Sequence, residues 1–213
     1  MRIETVYHSF TRPPTKRRST DTIVIHHQAG NAVPAATIHQ WHQRDRGWIG
    51  IGYNYVIQPD GRIETGRPED TVGAHAGPGV NGRSIGICVT GNLERHPPDE
   101  RQIQALVWLI KDIEKRYGKV KITGHKEHMA TSCPGQHFPM ERVKQMVQSS
   151  GITTMINGRH MTVESKLQQG RTYILLKGEG MQKHWIELRD LADSMGGKIE
   201  WEQATQTARM TIR

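Results

Sequence analysis

Short runs of β-branched residues alternate with helical patterns along most of this sequence, and this alternation limits the fold more than any other feature. Residues 22–27 are TIVIHH and residues 84–91 are SIGICVTG, both typical of buried strands. Between Asp99, which can cap a helix, and Gly118, which can end one, apolar residues recur every three or four positions. The pattern predicts an α/β fold, a mixed central β-sheet flanked by helices, up to about Val147.

A short polar break, QSSG, separates this part of the chain from a segment of different character. The later segment alternates several strand patterns with one helical pattern, which is typical of a small α+β unit. A chain of 213 residues is long enough for one domain of ordinary size and a small second one. We therefore expect two domains, residues 1–148 and residues 152–213.

The sequence is basic, with 29 Lys and Arg against 21 Asp and Glu and a formal net charge of +8. This excess favours a polyanionic partner such as nucleic acid, an anionic membrane surface or cell-wall polymers. The cluster Arg12, Lys16, Arg17 and Arg18 lacks apolar periodicity, so it indicates a solvated lead-in rather than a nucleic-acid arm. No signal peptide and no apolar run of membrane-spanning length occur, so we expect synthesis in the cytoplasm and no membrane insertion.

Two histidines and one cysteine stand where a metal site can form. His26 is at the end of the first strand pattern, His125 follows the later strand pattern KITG, and Cys133 lies in the loop TSCPG. If the two strands are neighbours, two imidazoles and a thiolate converge at one edge of the sheet. Such a set suits zinc and leaves a fourth position for water, whose pKa zinc lowers toward about 7. The pattern indicates a hydrolytic site, although twelve histidines allow other combinations.

A series of motifs resembles, in order, the amidase family that includes phage T7 lysozyme and the peptidoglycan recognition proteins. The motifs are VIHHQAG, IHQWHQ with GWIGIGYNYVI, PDGRIETGR, VGAHA, NGRSIGIC with VTGN, and GHKEHMATSCPG, within residues 21–147. The resemblance implies a zinc-dependent N-acetylmuramoyl-L-alanine amidase, which cuts the amide bond between N-acetylmuramic acid and the L-alanine of the stem peptide. With the second domain, it also implies a phage or prophage endolysin that reaches the cell wall after holin-type release.

The same resemblance implies the ligands of the metal. Zinc would be held by His26, His125 and Cys133. His27 is the alternative to His26, but side chains alternate along a strand, so His27 is expected to point the other way. Cys88 lies in the apolar middle of a strand and is expected to be a small buried hydrophobic residue.

The remaining site residues are also carried over by motif. Tyr53 would position or deprotonate the attacking water. Thr131, two residues before the cysteine ligand, would donate to the oxyanion; it brings no positive charge, unlike the lysine of T7 lysozyme, and resembles the recognition-protein branch. His75 matches a position that lines the cleft of the family, with a surface histidine of no function as the alternative. Trp48 and Asn81 are expected to flank the same substrate groove.

Residues 152–213 resemble, more loosely, the small stalk-like domain named after the N-terminal part of copper amine oxidases. The similarity rests on MINGRHM, TYILLKG, LADSMGGKIEW and ATQTARMTI, and it implies neither copper nor oxidase chemistry. The expected use is attachment to the cell wall, with a plain structural appendage as the alternative. The expected partners are peptidoglycan and anionic wall polymers, with no nucleic acid, and the expected state is a monomer.

Two other functions stay open at this point. Some peptidoglycan recognition proteins keep the fold, lose the metal and only bind; they commonly lack the cysteine ligand, so Cys133 argues for catalysis. A regulatory function is the other, because T7 lysozyme also binds a polymerase, and no residue here argues for or against it. Glu127 follows His125 in an H-x-E pattern, but the P-C-x-x-C segment of the zinc deaminases is absent.

Overall fold

A computed structural model of the chain describes residues 1–148, 153–156, 159–162, 165–168, 171–176, 184–202 and 207–211. The chain divides into two compact units, Met1–Lys144 and Gln145–Arg213. Within the described ranges, no helix has both the length and the apolar character needed to cross a bilayer.

The first unit is built on a six-stranded sheet. Its strands are β1 (Ile3–Glu4), β2 (Thr22–His27), β3 (Tyr55–Ile57), β4 (Ile63–Thr65), β5 (Ser84–Val89) and β6 (Lys121–Gly124). The helices are α1 (Ala35–Arg44), α2 (Pro78–Asn81), α3 (Glu100–Tyr117) and α4 (Met140–Gln148), which begins in this unit, with a short 3-10 helix at His125–Glu127. The mixed sheet flanked by helices that the sequence predicts is confirmed.

The order of the strands explains how the sheet brings two distant segments together. The order is β1-β4-β3-β5-β2-β6, and β2 pairs in parallel with both β5 and β6. In this register Ile25 lies opposite Gly124, and His26 lies opposite Cys88. The carboxyl ends of β2 and β6 therefore meet at the same edge of the sheet. The neighbouring strands that the metal hypothesis requires are confirmed.

The sheet is held by apolar side chains from the strands and the helices. Strands β2 and β5 are buried along their whole length. Helix α1 packs Ala35 and Ile38 against Val56 and Cys88. Cys88 is fully buried in this cluster, so the expectation of a small buried hydrophobic residue is confirmed.

Helix α3 has the boundaries that its capping residues predict. The side chain of Asp99 accepts a hydrogen bond from the backbone N–H of Arg101, and Gln102 returns one to the backbone N–H of Asp99. This arrangement satisfies backbone donors that are otherwise unpaired at the start of a helix. Ile103, Leu106 and Ile110 are buried on one side of the helix, as the spacing predicts.

The N-terminal segment packs against the rest of the first unit. Strand β1 pairs in parallel with β4. The guanidinium of Arg17 donates to the backbone carbonyls of Glu69 at 2.7 Å and Thr71 at 2.8 Å, and to that of Ser84 at 3.2 Å. Arg12, Lys16 and Arg18 are exposed. The prediction of a solvated lead-in is therefore wrong at Arg17, because the sequence pattern does not show the carbonyl groups that this side chain meets.

The second unit contains strands and one helix. They are β7 (Thr153–Ile156), β8 (Arg159–Thr162), β9 (Ser165–Gln168), β10 (Arg171–Leu176), β11 (His184–Glu187), α5 (Leu188–Ser194), β12 (Lys198–Glu202) and β13 (Thr207–Thr211). The strands form a three-stranded sheet of order β11-β10-β9 and a four-stranded sheet of order β12-β13-β7-β8. Leu188 and Ala192 of α5 are buried. The function of this unit in wall attachment stays a prediction.

Candidate metal centre

Three elements bring His26, His125 and Cys133 to one point. His26 is the next-to-last residue of β2, and His125 directly follows β6. Because the two strands are parallel neighbours, both histidines leave the same edge of the sheet, with their ring centroids 4.5 Å apart. The loop between the 3-10 helix and α4 brings the Sγ of Cys133 to 3.7 Å from the Nδ1 of His26.

The spacing of these three residues fits a tetrahedral metal ion. One ligand atom from each residue lies within 4.8 Å of the other two. With Zn–N and Zn–S bonds of about 2.0 and 2.3 Å, a nitrogen and a sulfur on a tetrahedral ion lie about 3.5 Å apart. The Nε2 of His125 is buried and has no hydrogen-bond partner in the described part of the chain, so it is available to a metal. The donor set of two imidazoles and a thiol suits zinc.

His27 has a different set of contacts from His26. Its Nδ1 accepts a hydrogen bond from the backbone N–H of Leu93 at 3.1 Å. Its own backbone N–H donates to the Sγ of Cys133 at 3.4 Å. Among the described residues, His27 is not part of the group whose ligand atoms converge. Its contribution to the site is a backbone hydrogen bond that favours the thiolate form of Cys133.

Burial determines the protonation states at this centre. It lowers the pKa of His26 well below its ordinary value and also lowers the pKa of His125. Burial raises the pKa of Cys133 to about 11, against a smaller opposite effect of the hydrogen bond from His27. The histidines are therefore neutral and can donate a lone pair at neutral pH, whereas the thiol must lose its proton when a metal binds.

Tyr53 and Thr131 lie near the three potential ligands. The ring centroid of Tyr53 is 5.1 Å from that of His26. Burial raises the pKa of Tyr53 well above its ordinary value, so its hydroxyl is protonated at neutral pH. Thr131 is exposed, and its Oγ1 accepts a hydrogen bond from the backbone N–H of Cys133 at 3.3 Å. That bond uses one lone pair of Oγ1 and leaves the hydroxyl proton free to donate.

The three residues predicted to contact substrate have distinct environments. His75 is buried, and its Nδ1 lies 3.1 Å from the Nε2 of His26. The Oδ1 of Asn81 accepts from the backbone N–H groups of His75 and Ala76 at 3.1 and 2.8 Å. Trp48 is partly buried, with the guanidinium carbon of Arg46 5.3 Å from its ring centroid. Substrate contact stays a prediction for all three residues.

For one residue near Tyr53, His42, the sequence predicts no function. His42, on α1, lies with its ring centroid 4.8 Å from that of Trp48 and 5.5 Å from that of Tyr53. Its Nδ1 accepts a hydrogen bond from the backbone N–H of Gly52 at 3.0 Å. The signal in the sequence was its spacing of four from Ile38, which places both side chains on one face of the helix.

Comparison with known proteins connects this geometry to a family. The family model described as N-acetylmuramoyl-L-alanine amidase matches residues 16–136, which include all three potential metal ligands. The chain belongs to this amidase family. The amidase is 34% identical over 136 residues to an endolysin of Klebsiella phage KP32, over 60% of this chain and 87% of that protein. It is also 34% identical over 135 residues to the endolysin of Escherichia phage T7, with the same coverage.

A solved structure has the same fold. The amidase resembles N-acetylmuramoyl-L-alanine amidase LysC from Clostridium intestinale, with a TM-score of 0.65 and 36% identity over 68% of this chain and 96% of that one. Membership of this family confirms the predicted amidase activity and, with it, a peptidoglycan substrate. The family match ends at Gln136, so the resemblance of residues 152–213 to a stalk-like domain stays a prediction.

Proposed function

We propose that this amidase is a zinc-dependent endolysin that hydrolyses the bond between the lactyl group of N-acetylmuramic acid and the L-alanine of the stem peptide. The observation that carries the proposal is the convergence of His26, His125 and Cys133, within 4.8 Å of one another, in a chain of this family. The similarity to the endolysins of phages KP32 and T7 supports the endolysin assignment.

The metal would be held by the neutral imidazoles of His26 and His125 and by the thiolate of Cys133. When bound, zinc supplies a Lewis acid that activates a water molecule and polarises the amide carbonyl. The backbone N–H of His27 points at the sulfur and stabilises its negative charge. These three residues would hold the metal and leave it accessible to water and substrate.

Tyr53 and Thr131 act on the reacting groups. The protonated hydroxyl of Tyr53, beside His26, forms a hydrogen bond with the attacking water and holds it in position. The hydroxyl of Thr131 donates to the carbonyl oxygen as that oxygen gains negative charge. Because Thr131 carries no charge, its contribution is a single neutral hydrogen bond. Trp48 and Asn81 flank the groove in which the glycan and peptide lie.

The proposal also covers wall attachment, oligomeric state and localisation. The second unit attaches the enzyme to the wall, and the excess of positive charge attracts anionic wall polymers. The enzyme works as a monomer and does not bind nucleic acid. It is held in the host cytoplasm until holin-type release gives it access to peptidoglycan.

The test is a digestion of purified cell walls that measures two products, free N-terminal alanine and reducing sugar. The amidase releases alanine amino groups without reducing ends, and a zinc chelator or Cys133→Ser abolishes the release. Cys88→Ala is the matched control, because this second thiol is fully buried in an apolar cluster and, among the described residues, is not in the group whose ligand atoms converge. Wall binding without any release would instead identify a recognition module.

A further inference from the structure

A row of buried polar groups runs from His26 away from Cys133. The Nε2 of His26 lies 3.1 Å from the Nδ1 of His75, and the Nε2 of His75 lies 3.5 Å from the Oγ of Ser84. The hydroxyl of Ser84 donates to the backbone carbonyl of Val80 at 2.8 Å. His26, His75 and Ser84 are 1%, 7% and 0% exposed, so these contacts are shielded from water.

The protons in this row can be arranged in only one direction if His26 binds a metal through Nδ1, the nitrogen that faces Cys133. A neutral imidazole has one N–H, which is then on the Nε2 of His26 and donates to the Nδ1 of His75. The proton of His75 is consequently on its own Nε2, facing Ser84. The Oγ of Ser84 is free to accept it, because the hydroxyl proton is used on Val80.

The surrounding backbone holds the ring of His75 in this place. A methyl group added at either Gly73 or Gly86 would overlap ring atoms of His75, so both glycines provide the space that the ring fills. Asn81 accepts hydrogen bonds from the backbone N–H groups of His75 and Ala76 and fixes the loop that carries the ring. A side chain so enclosed has little surface left for a substrate.

We propose that His75 is a positioning residue, which accepts a hydrogen bond from His26 and so holds its Nδ1 toward the metal centre. Groups of this kind, one step removed from the metal, fix the tautomer and the ring orientation of a histidine ligand. The inference rests on the proposed zinc site. It replaces the substrate contact predicted for His75 with an effect on metal binding.

The test compares His75→Asn with His75→Gln and His75→Ala. The side-chain oxygen of asparagine can take the place of Nδ1, whereas the amide of glutamine reaches the position of Nε2. Zinc affinity, measured by competition with a chromophoric chelator, should fall about 10- to 100-fold in the Gln and Ala variants and by less in the Asn variant. Ser84→Ala, which removes the next acceptor, should lower it by a smaller factor.

A second readout uses the metal-free wild-type protein and needs no activity. Long-range 15N–1H NMR should show His26 with its proton on Nε2, and His75→Ala should lose this preference. Unchanged zinc affinity in all the His75 variants, with a raised KM for cell walls, would overturn the inference in favour of substrate contact. If the wild-type protein binds no zinc, the proposed zinc chemistry is wrong. A proton on the Nδ1 of metal-free His26 would overturn the inference about His75 independently of that result.

Discussion

At the residue scale, the imidazole of His42 links helix α1 to the segment that carries Tyr53. Its Nδ1 accepts the backbone N–H of Gly52, and its ring lies against those of Trp48 and Tyr53. Burial, and to a smaller extent the charge of Arg46, lowers the pKa of His42 to about 4. The folded protein therefore keeps this ring neutral at pH values where an unfolded histidine is charged.

This difference predicts how stability depends on pH. Below about pH 6.5 the unfolded chain binds a proton at His42 that the folded protein does not bind, so stability falls until about pH 4. The loss from this one group is about 3 kcal/mol. His42→Asn, whose side-chain oxygen can still accept from Gly52, should flatten the profile by that amount. Urea unfolding of both metal-free proteins at pH 7, 5.5 and 4.5 measures the difference, and parallel profiles would refute it.

Removal of the Tyr53 hydroxyl tests its proposed contact with the attacking water. Tyr53→Phe keeps the ring that lies 5.1 Å from His26 and removes only the group that holds the water. We expect kcat to fall about 100-fold, in the range of positioned acid–base groups, with zinc affinity and melting temperature unchanged. Steady-state kinetics on solubilised wall fragments, with zinc titration alongside, would show this. Full activity in the variant would remove Tyr53 from the mechanism.

At the element scale, the features that could be predicted are those with a local cause. Residues 22–27 and 84–91 contain strands because β-branched runs favour them, and α3 starts and stops at its own capping residues. The metal ligands followed from motif order, and their convergence depends on β2 and β6 being neighbours. Non-local contacts were not predictable: the carbonyl groups of Glu69, Thr71 and Ser84 that Arg17 contacts lie 52 to 67 residues away in sequence. The buried place of His75 likewise depends on two separate glycines.

Gly86 of strand β5 is one of the two glycines that make space for His75, and its substitution tests this packing. In Gly86→Ala the new methyl group would overlap the ring of His75, so we expect a loss of about 1–3 kcal/mol from overpacking. Zinc affinity should fall as well, because the ring that orients His26 is displaced. Gly79→Ala is the matched control, since a methyl group there meets no atom within 4 Å. Equal stability and zinc affinity in both variants would contradict the packing described for His75.

At the scale of the whole molecule, charge and domain organisation predict how the enzyme meets its substrate. The formal net charge of +8 favours anionic polymers. The family match lies within the first unit, and the proposed wall attachment is assigned to the second unit. The phage endolysins align with 60% of this chain over 87% of their own length, so a protein little longer than the aligned region can fold without a second unit of this size.

Deletion of residues 151–213 tests the attachment hypothesis. The shortened protein should cleave soluble wall fragments at the wild-type rate but sediment less with intact walls. Added salt should weaken sedimentation of the full chain, because ionic screening acts on contacts between exposed charges. Co-sedimentation with purified walls at low and high salt gives the comparison. If the shortened protein sediments as fully as the intact chain, the second unit is not a wall-binding domain.

The central claim is that a zinc ion held by His26, His125 and Cys133 carries out the amide hydrolysis. The most direct measurement is the metal content of the purified full-length protein, together with its amide-cleaving activity on the same sample. We predict one zinc per chain. A chelator should remove both the zinc and the activity, and added zinc should restore both. Cys133→Ser should contain no zinc, whereas Cys88→Ala should retain it. Full activity in a metal-free sample, or zinc retained by Cys133→Ser, would contradict this account.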